Sequence, residues 1–411
     1  MLSRRFLMVF TLVAMVVVPT FAHAAIDMDP YLTDLTRRGV TVIWQTTDAD
    51  GKIFYGEKEE ALDDWIDVRR DDEGFLRGKI TCLKPNTKYF YQVQSGNDTS
   101  IAFPFTTAVE ADTDFSFVVY GDSRSCPGDH GAIVNAIARE HPLFTVHLGD
   151  MVENELCTRQ WLDFFRVENQ LIRTSPEVPV IGNHETMLGS SAPFRRYWHT
   201  PDHDGDRTSM WRFQQGNSFF IVMDSSRPFG EESSQYAWVR RQLGLAQTIP
   251  SVKHCFVLAH LAPYSRSFHG RDSDVLAFRD TYAPLFKKYD VDVVFGAHDH
   301  NYQHNLVDGI HYIVTGGGGA PLRNVRRAPR SWTESTAEKT LNYVRVNVSG
   351  ETLTVTAVGV YPNCPCPCPC AGPCPADCRG IEQFSLRNRD YGGAGAGSEL
   401  PDPCTGDDSD D

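Results

Sequence analysis

The sequence predicts an α/β protein preceded by a small all-β domain, and two patterns in the chain support this. Up to residue 109, short alternating strand segments follow one another with turn signals and no helical period between them. After residue 114, apolar strand segments alternate with amphipathic segments of helical period. Such alternation is typical of helices packed on the faces of a sheet.

With 411 residues the chain is long for one compact domain, and its hydrophobic content of 41% is enough for a substantial core. We therefore expect two folded units with an addition at each end. The four segments are a signal peptide at 1–24, an all-β domain at 25–109, an α/β domain at 114–358 and a tail at 359–411.

The first segment has the features of a secretory signal peptide. Arg4 and Arg5 precede an apolar stretch from Phe6 to Val18, and Ala22-His23-Ala24 offers a cleavage site of small residues. The alternative, a membrane anchor, conflicts with the short length of the apolar stretch. We expect an exported protein, periplasmic, cell-surface or extracellular, and no transmembrane segment in the mature chain.

The overall charge excludes some classes of partner. The chain carries a formal net charge of -14, and removal of the two arginines of the signal makes it more negative. An acidic protein has no general surface for nucleic acid or for anionic lipid. If this protein binds anions, it needs a local device such as a metal ion.

The first folded unit is a succession of strand segments with Asp, Gly, Asn and Pro in the turns. In chain order the segments are GVTVIWQT, KIFYGE, FLRGKITCL, TKYFYQVQSG and SIAFPFTT. Short strands at this spacing predict a small β-sandwich. The acidic stretch 109–114 is a suitable link to the next unit.

The second unit begins with the strand FSFVVYGD and the helix GAIVNAIAREH, and the alternation continues to the late strands TLNYVRVNV and TLTVTAVGV. Beyond Val360 the composition changes to YPNCPCPCPCAGPCPADCRG, followed by a Gly-rich run and an acidic end. Proline at every second position removes backbone donors and fixes φ. We therefore expect an irregular tail from residue 359 onward.

Side chains that can bind metals follow five of the apolar strands of the second unit. They are Asp122, Asp150, Asn183 with His184, His260, and His298 with His300. One Asp at a strand end is usually a turn or helix-cap residue, but five coincidences on five strands favour a shared site. In open α/β sheets the carboxyl ends of the strands line the ligand crevice, so we expect these residues to converge there.

The chemistry of this set favours particular metals. Carboxylates, an amide oxygen and imidazoles together suit iron, zinc or manganese rather than calcium. One aspartate can bridge two ions, and a pair of ions about 3.5–4 Å apart can clamp a phosphoryl group. A site of this kind would be locally positive in an acidic protein.

These strings resemble the motifs of the calcineurin-like metallophosphoesterase superfamily. They are Gly121-Asp122, Gly149-Asp150, Gly182-Asn183-His184-Glu185, His260 and Gly296-Ala297-His298-Asp299-His300. With its leading β-sandwich, the chain is similar to purple acid phosphatases and their bacterial relatives over residues 28–358. The resemblance implies a metallophosphoesterase β-sandwich flanked by helices, preceded by a small all-β fibronectin-III-like domain.

The resemblance also assigns roles to residues. Asp122, Asp150 and His300 would hold a first metal, and Asp150, Asn183, His260 and His298 would hold a second. The ions would be two divalent or mixed-valence ions of Fe, Zn or Mn. A metal-bound hydroxide would attack phosphorus, with Asp150, His184 and His269 as catalytic residues. His184 would donate a proton to the leaving oxygen, and Asn183, His184 and His269 would contact the phosphate; His269 is otherwise a plain loop residue.

Three positions depart from the family pattern. Purple acid phosphatases place a tyrosinate metal ligand where this chain has Glu153, which is either a tentative ligand or a solvent residue. The final Tyr-x-Arg of the family is Tyr302-Gln303-His304 here. Arg124, in Asp122-Ser123-Arg124, could replace the missing basic contact to phosphate or be an ordinary surface arginine.

Eleven cysteines are divided between the body of the chain and the tail. Cys126 and Cys157 follow two of the metal motifs, so an exported protein could join them in a disulfide. Cys82 and Cys255 lie in strand segments and are expected to be buried thiols. The tail cysteines could pair with one another, link to another protein or bind a soft metal.

Taken together, the sequence predicts an exported dinuclear-metal phosphatase acting on phosphomonoester substrates, of the acid-phosphatase type. A phosphodiesterase with the same site is the enzymatic alternative. A non-enzymatic alternative is an adhesion or scaffold protein attached to the envelope, or to a disulfide-linked partner, through its Cys-rich tail.

Overall fold

The computed structural model describes residues 26–200, 209–362 and 376–387. The predicted signal peptide at 1–24 lies outside the described residues, as do most of the tail cysteines. No helix within the described ranges is both long enough and apolar enough to cross a membrane.

The described residues contain these strands and helices. The strands that precede the link are β1 (Ile26–Thr36), β2 (Gly39–Thr46), β3 (Asp50–Gly56), β4 (Asp64–Arg69), β5 (Phe75–Ile80), β6 (Lys88–Ser95), β7 (Asp98–Thr99) and β8 (Phe103–Thr106). The next strands are β9 (Phe115–Tyr120), β10 (Phe144–His147), β11 (Glu177–Pro179), β12 (Trp211–Gln215), β13 (Ser218–Val222), β14 (His254–Leu258) and β15 (Val293–Gly296). The last strands are β16 (Tyr302–Val307), β17 (Ile310–Thr315), β18 (Glu334–Glu338), β19 (Leu341–Ser349), β20 (Thr352–Pro362) and β21 (Ala376–Arg387). The helices are α1 (Pro127–Ala138), α2 (Thr158–Ile172), α3 (Ala192–Tyr197), α4 (Ser234–Ala246) and α5 (Ser273–Lys288).

Two large mixed sheets pack face to face and form the body of the molecule. One has nine strands in the order β21-β20-β19-β9-β10-β11-β1-β2-β5, and the other has seven in the order β12-β13-β14-β15-β17-β16-β18. Aromatic rings interlock between them: the ring of Phe117 lies 5.4 Å from that of Phe256, and Phe144 lies 5.6 Å from Phe220. This inter-sheet layer is the main hydrophobic core.

Helices cover the outer faces of both sheets. The apolar faces of α1 and α2 pack with Val118 and Tyr120 on the nine-stranded sheet. Those of α4 and α5 pack with Phe219 and Val257 on the seven-stranded sheet. The prediction of a β-sandwich flanked by helices is confirmed.

The region before residue 109 is all-β, as predicted, but its strands are divided between two sheets. Strands β3, β4, β6, β7 and β8 form a separate five-stranded sheet. Strands β1, β2 and β5 extend the nine-stranded sheet, because β1 pairs with β11 in parallel at Thr33 and Glu177. The sheet therefore continues across the predicted link at 109–114. The exact domain boundaries and the likeness to fibronectin III stay predictions.

The tail differs from the irregular segment expected from residue 359. Strand β20 continues to Pro362, and β21 pairs with it antiparallel from Ala376 to Arg387 at the edge of the sheet. The prediction of irregular structure was wrong for these residues. The Pro-rich run ends at Pro375, so residues 376–387 contain no proline and retain every backbone donor that a strand needs.

Two of the predictions about cysteines were wrong. Cys157 has a free thiol, so it is not joined to Cys126. Cys126 is disulfide-bonded, while Cys82, Cys157, Cys255 and Cys378 are free. Cys82 is exposed because it lies in a turn after β5, whereas Cys255 is buried as expected.

Candidate metal centre

The predicted ligands lie together at the carboxyl ends of parallel strands. Strands β9, β10 and β11 run parallel in one sheet, and β13, β14, β15 and β17 run parallel in the other. The residues that follow these strands are Asp122 after β9, Asp150 after β10, Asn183 after β11, His260 after β14, and His298 and His300 after β15. Because the two sheets face each other, these ends meet at one edge of the sandwich.

The backbone at this edge adopts conformations that few residues accept. Asp122, Asp150 and His298 have φ values of 58°, 56° and 67°, in the left-handed region. Each costs on the order of 1–3 kcal/mol, a strain that clusters at functional sites. Gly149 has φ 90°, and a Cβ on it would lie 2.5 Å from the amide nitrogen of Gly182. The glycines before the ligands therefore allow the strand ends to approach one another.

One group of ligand atoms surrounds Nε2 of His260. This nitrogen lies 3.0 Å from Oδ1 of Asn183, 3.2 Å from Nδ1 of His298 and 3.4 Å from Oδ1 of Asp150. The other ring nitrogen, Nδ1, donates to the carbonyl oxygen of Leu148 at 2.8 Å. That hydrogen bond fixes the tautomer, so Nε2 presents a lone pair to the group. Asp150, His260 and His298 form a cluster compact enough for one ion.

A second group consists of Asp122 and His300, beside the guanidinium of Arg124. His300 donates from Nδ1 to the carbonyl oxygen of Pro321 at 2.8 Å, and its Nε2 lies 3.7 Å from Oδ1 of Asp122. Both carboxylate oxygens of Asp122 are buried and have no hydrogen-bond partner among the described residues. Buried carboxylate oxygens are normally paired. This donor set therefore fits a metal ion.

The electrostatics of the centre follow from burial. Burial and the charge of Asp150 raise the pKa of Asp122 well above its ordinary value. Burial also raises the pKa of Asp150, but the charges of His260, His184 and Arg124 outweigh it and hold that pKa below its ordinary value. Burial lowers the pKa of His260, and it lowers that of His300 to about 4. The imidazoles are therefore neutral, the form that binds metals.

Arg124 and Glu153 form a pair beside the second group. The guanidinium of Arg124 donates from Nη1 to Oε2 of Glu153 at 2.6 Å and from Nε to Oδ2 of Asp150 at 3.2 Å. Ser125 also donates to Oε2 of Glu153, at 2.6 Å. Partial burial raises the pKa of Glu153, but these hydrogen bonds outweigh it and lower the pKa. The side chain of Glu153 is 48% exposed, and that of Arg124 is 11% exposed.

The two remaining predicted histidines lie around the ligand groups. His184 donates from Nδ1 to the carbonyl oxygen of Glu153 at 2.8 Å, and its Nε2 lies 3.8 Å from Oδ2 of Asp150. The ring of His269 lies 4.0 Å from that of His298, and its Nδ1 is 2.7 Å from Oδ2 of Asp272. Both rings therefore have one nitrogen engaged and one left for a ligand.

Glu185 ends the motif Gly182-Asn183-His184-Glu185, and the sequence patterns assign no role to it. Its buried carboxylate accepts hydrogen bonds from the backbone N–H groups of Asp150, Met151 and Gly182, each at 2.8 Å. Burial raises the pKa of Glu185 to about 8, and the backbone donors oppose that shift. Glu185 holds together two strand ends that carry ligands, and its position directly after Asn183-His184 was the available signal.

His304 lies outside the centre. Its Nδ1 is 3.2 Å from Oε1 of Glu382 on β21, and its Nε2 is 2.8 Å from Nδ1 of His311 on β17. His304 therefore faces the edge strand β21, on the same side of β16 as Tyr302, which also bonds to Glu382. The side chain at the family's final basic position therefore has a different environment in this chain.

The comparisons with known proteins agree on one family. The family model of calcineurin-like phosphoesterases matches residues 115–302. A purple acid phosphatase from Glycine max is 27% identical over 324 residues, which cover 72% of this chain and 69% of that protein. The Fe(3+)-Zn(2+) purple acid phosphatase 12 from Arabidopsis thaliana is 26% identical over 59% of this chain and 55% of its own length. The chain thus spans little more than half the length of this second relative.

A solved structure shows the same fold. Purple acid phosphatase PPD1 from yellow lupin (Lupinus luteus) seeds superimposes with a TM-score of 0.73 over 90% of this chain and 77% of that one. The identity is 16%, so the likeness concerns the fold alone.

Proposed function

We infer that this chain, a purple acid phosphatase-like metallophosphoesterase whose residues 115–302 form a calcineurin-like phosphoesterase domain, is an exported dinuclear-metal phosphatase that hydrolyses phosphomonoesters. The observation that carries the proposal is the compact cluster of Asp150, His260 and His298 beside Asp122, whose buried carboxylate oxygens have no partner among the described residues and interact electrostatically with Asp150. A shared carboxylate is how two metals are held close enough to act on one phosphoryl group.

The residues divide into two proposed metal sites. Asp122, Asp150 and His300 would hold one ion, and Asp150, Asn183, His260 and His298 would hold the other. Iron, zinc and manganese suit these donors, and the Arabidopsis relative is named for iron and zinc. When bound, such a pair supplies an activated water as nucleophile and neutralises charge on the phosphoryl oxygens.

His184 is proposed to protonate the leaving oxygen. Its Nδ1–H is engaged by the carbonyl oxygen of Glu153, so only Nε2 can give a proton to substrate. This nitrogen lies 3.8 Å from Oδ2 of Asp150, which places it within reach of a substrate held at the centre. Asn183 precedes His184 and places it directly beside the proposed second metal site.

His269 and Arg124 are proposed to bind the phosphate. The carboxylate of Asp272 orients His269 through Nδ1 and leaves Nε2 for a phosphate oxygen. Arg124 is held at the centre by Glu153 and can offer its remaining N–H groups to the same anion. We propose that Glu153 positions Arg124, with metal ligation as its alternative role.

Hydrolysis of matched aryl esters tests the proposal. The mature chain, loaded in turn with zinc, manganese and iron, is assayed with 4-nitrophenyl phosphate and bis(4-nitrophenyl) phosphate across pH. We expect a higher kcat/KM for the monoester and loss of both activities with a chelator. A preference for the diester would make the protein a phosphodiesterase, and bound metal without turnover would favour the adhesion or scaffold alternative.

Export is tested separately. We expect the full chain, expressed with its own first 24 residues, to be recovered outside the cytoplasm with an N-terminus at or near Ala25. An intact N-terminus on cytoplasmic protein would contradict export.

A further inference from the structure

A cavity of about 540 Å³ lies next to the candidate metal centre. Thr186 and Arg195 line one wall, and Asp224 and Arg227 line the other. This volume is within the range of about 300–1,000 Å³ that small-molecule sites occupy. None of the predicted site residues lines the cavity, so the roles proposed for the metal centre do not account for the cavity.

Both walls are connected to residues of the centre. The N–H of Thr186 donates to the carbonyl oxygen of Asn183 at 3.2 Å. On the other wall, Ser225 accepts from the N–H of Leu261 at 3.3 Å, and Leu261 follows His260 in the chain. The cavity therefore begins on the side of the centre where Asn183, His184 and His260 lie. This is the side from which His184 would protonate a leaving oxygen.

Two arginines and one aspartate line the cavity, so the net charge of its lining is positive. The carboxylate of Asp224 is engaged by hydroxyl groups, with Ser209 at Oδ2 and Ser226 at Oδ1. The guanidinium of Arg227 has no hydrogen bond or ion pair to any described residue, and that of Arg195 bonds only to Ser191 within the same ranges. Two cationic side chains thus face a polar cavity in an otherwise acidic protein.

We propose that this cavity binds the leaving group of a phosphomonoester that carries a second anionic group, such as a carboxylate. The inference rests on the proposed function and adds the substrate class to it. The phosphoryl group would lie at the metal centre, and the second anion would pair with Arg195 and Arg227. Arginine is suited to this task because its planar fork binds carboxylate and phosphate oxygens in pairs.

Binding of two matched phosphonates to the metal-loaded protein tests the inference without requiring turnover. 4-Carboxybenzylphosphonate has the second anion, and 4-carbamoylbenzylphosphonate replaces it with a neutral amide of nearly the same shape. Calorimetric titration should give a Kd about 10-fold or more lower for the carboxylate, as expected for charged hydrogen bonds. The ratio should fall about 10-fold in Arg195→Gln and in Arg227→Gln.

Arg240→Gln is the matched control, because Arg240 is exposed on α4 and does not line the cavity; it should keep the wild-type ratio. Equal Kd values in the wild type, or a ratio that both cavity variants retain, would overturn the inference. If one arginine variant misfolds, the Kd ratio of the other variant still tests the inference. Failure of 4-nitrophenyl phosphate hydrolysis would refute the proposed phosphatase, while the Kd ratio still decides whether the cavity prefers the anion.

Discussion

The two carboxylate oxygens of Asp150 contact different side chains of the centre. Oδ1 lies 3.4 Å from Nε2 of His260, and Oδ2 lies 3.2 Å from Nε of Arg124. Its left-handed φ of 56° and the glycine before it place the carboxylate between the two sheets. Loss of this side chain would remove a donor from both proposed metal sites at once.

Replacement of Asp150 by alanine should abolish bound metal and phosphatase activity together. Metal content, measured by elemental mass spectrometry after dialysis, should fall with the rate of 4-nitrophenyl phosphate hydrolysis. Asp280→Ala, in which a 70% exposed carboxylate on α5 is removed, should retain both. An active variant at position 150 without metal would contradict the assignment.

The glutamate at position 153 determines the colour that we expect for the iron-loaded protein. A carboxylate cannot produce the charge-transfer band that a tyrosinate gives with ferric iron, so we expect iron-loaded protein to be colourless. We also expect divalent ions at both sites and a pH optimum nearer neutral than in acid phosphatases. Visible absorption spectra of the iron-loaded wild type and of Glu153→Gln should coincide; a purple wild-type protein would refute this prediction.

At the scale of elements, the strand ends are tied to one another by polar side chains. Glu185 joins the segment after β11 to the segment after β10 through four backbone N–H groups, with Val152 the fourth at 3.3 Å. Where β21, the edge strand of the nine-stranded sheet, meets the seven-stranded sheet, Glu382 accepts from Tyr302 of β16 and Thr336 of β18, both at 3.0 Å. Each carboxylate therefore connects segments that are distant in sequence.

Glu185→Gln should destabilise the ligand loops. The amide group of glutamine brings N–H donors toward backbone N–H groups, so buried donors lose their acceptor, at a cost of about 1–3 kcal/mol. Urea unfolding should show a lower free energy of unfolding, and metal affinity should fall with it. Glu231→Gln, at an exposed position, is the control. Unchanged stability would show that the backbone donors do not depend on this carboxylate.

The docking of β21 should depend on pH through Glu382. Partial burial raises the pKa of this carboxyl, but hydrogen bonds from His304, Tyr302 and Thr336 outweigh it and lower the pKa. Because the pKa of Glu382 is lower in the folded state, its ionised form stabilises that state at pH values above the unfolded pKa of about 4.3. This stabilisation is lost as the pH falls through the pKa of the folded state. Hydrogen-exchange protection of residues 376–387 should therefore drop at acidic pH.

Glu382→Gln should remove most of this pH dependence, since glutamine does not titrate. Ser385→Ala is the control on the same strand, because the hydroxyl of Ser385 pairs with that of Thr354 at the exposed surface; it should keep the wild-type profile. Equal acid sensitivity in the wild type and in Glu382→Gln would show that another group controls β21.

At the scale of the whole molecule, one hydrophobic core crosses the predicted domain boundary. The same cluster of buried side chains includes Trp44 and Tyr91 from the first region and Phe117 and Phe295 from the second. The nine-stranded sheet runs through both regions as well. A shared sheet and a shared core couple the stability of the two regions.

The full chain should therefore unfold in one cooperative transition. Scanning calorimetry of the metal-free protein should give equal calorimetric and van't Hoff enthalpies. A chain that lacks residues 26–109 should be unfolded, because β11 loses its neighbouring strand β1 and the core loses the side chains that the first region contributes. Two separate transitions, with a folded truncated chain, would show that the first region is an independent domain.

The sequence by itself was sufficient for the α/β class, the all-β region and the set of side chains that meets at the centre. Each of these depends on a local pattern: the periodicity of the segments for the fold class, and an Asp, Asn or His just after an apolar strand for the ligands. Parallel strands share one edge, so the local pattern already specified convergence.

Only the tertiary structure decided how distant segments pair. Several features depend on residues that are far apart in the chain. They are the contact of Arg124 with Glu153, the backbone contacts of Glu185, the edge strand β21 and the free thiol of Cys157. The cavity with Arg195 and Arg227 is of the same kind. No periodicity in a sequence encodes such contacts, because they arise from how the two sheets pack and where their loops meet.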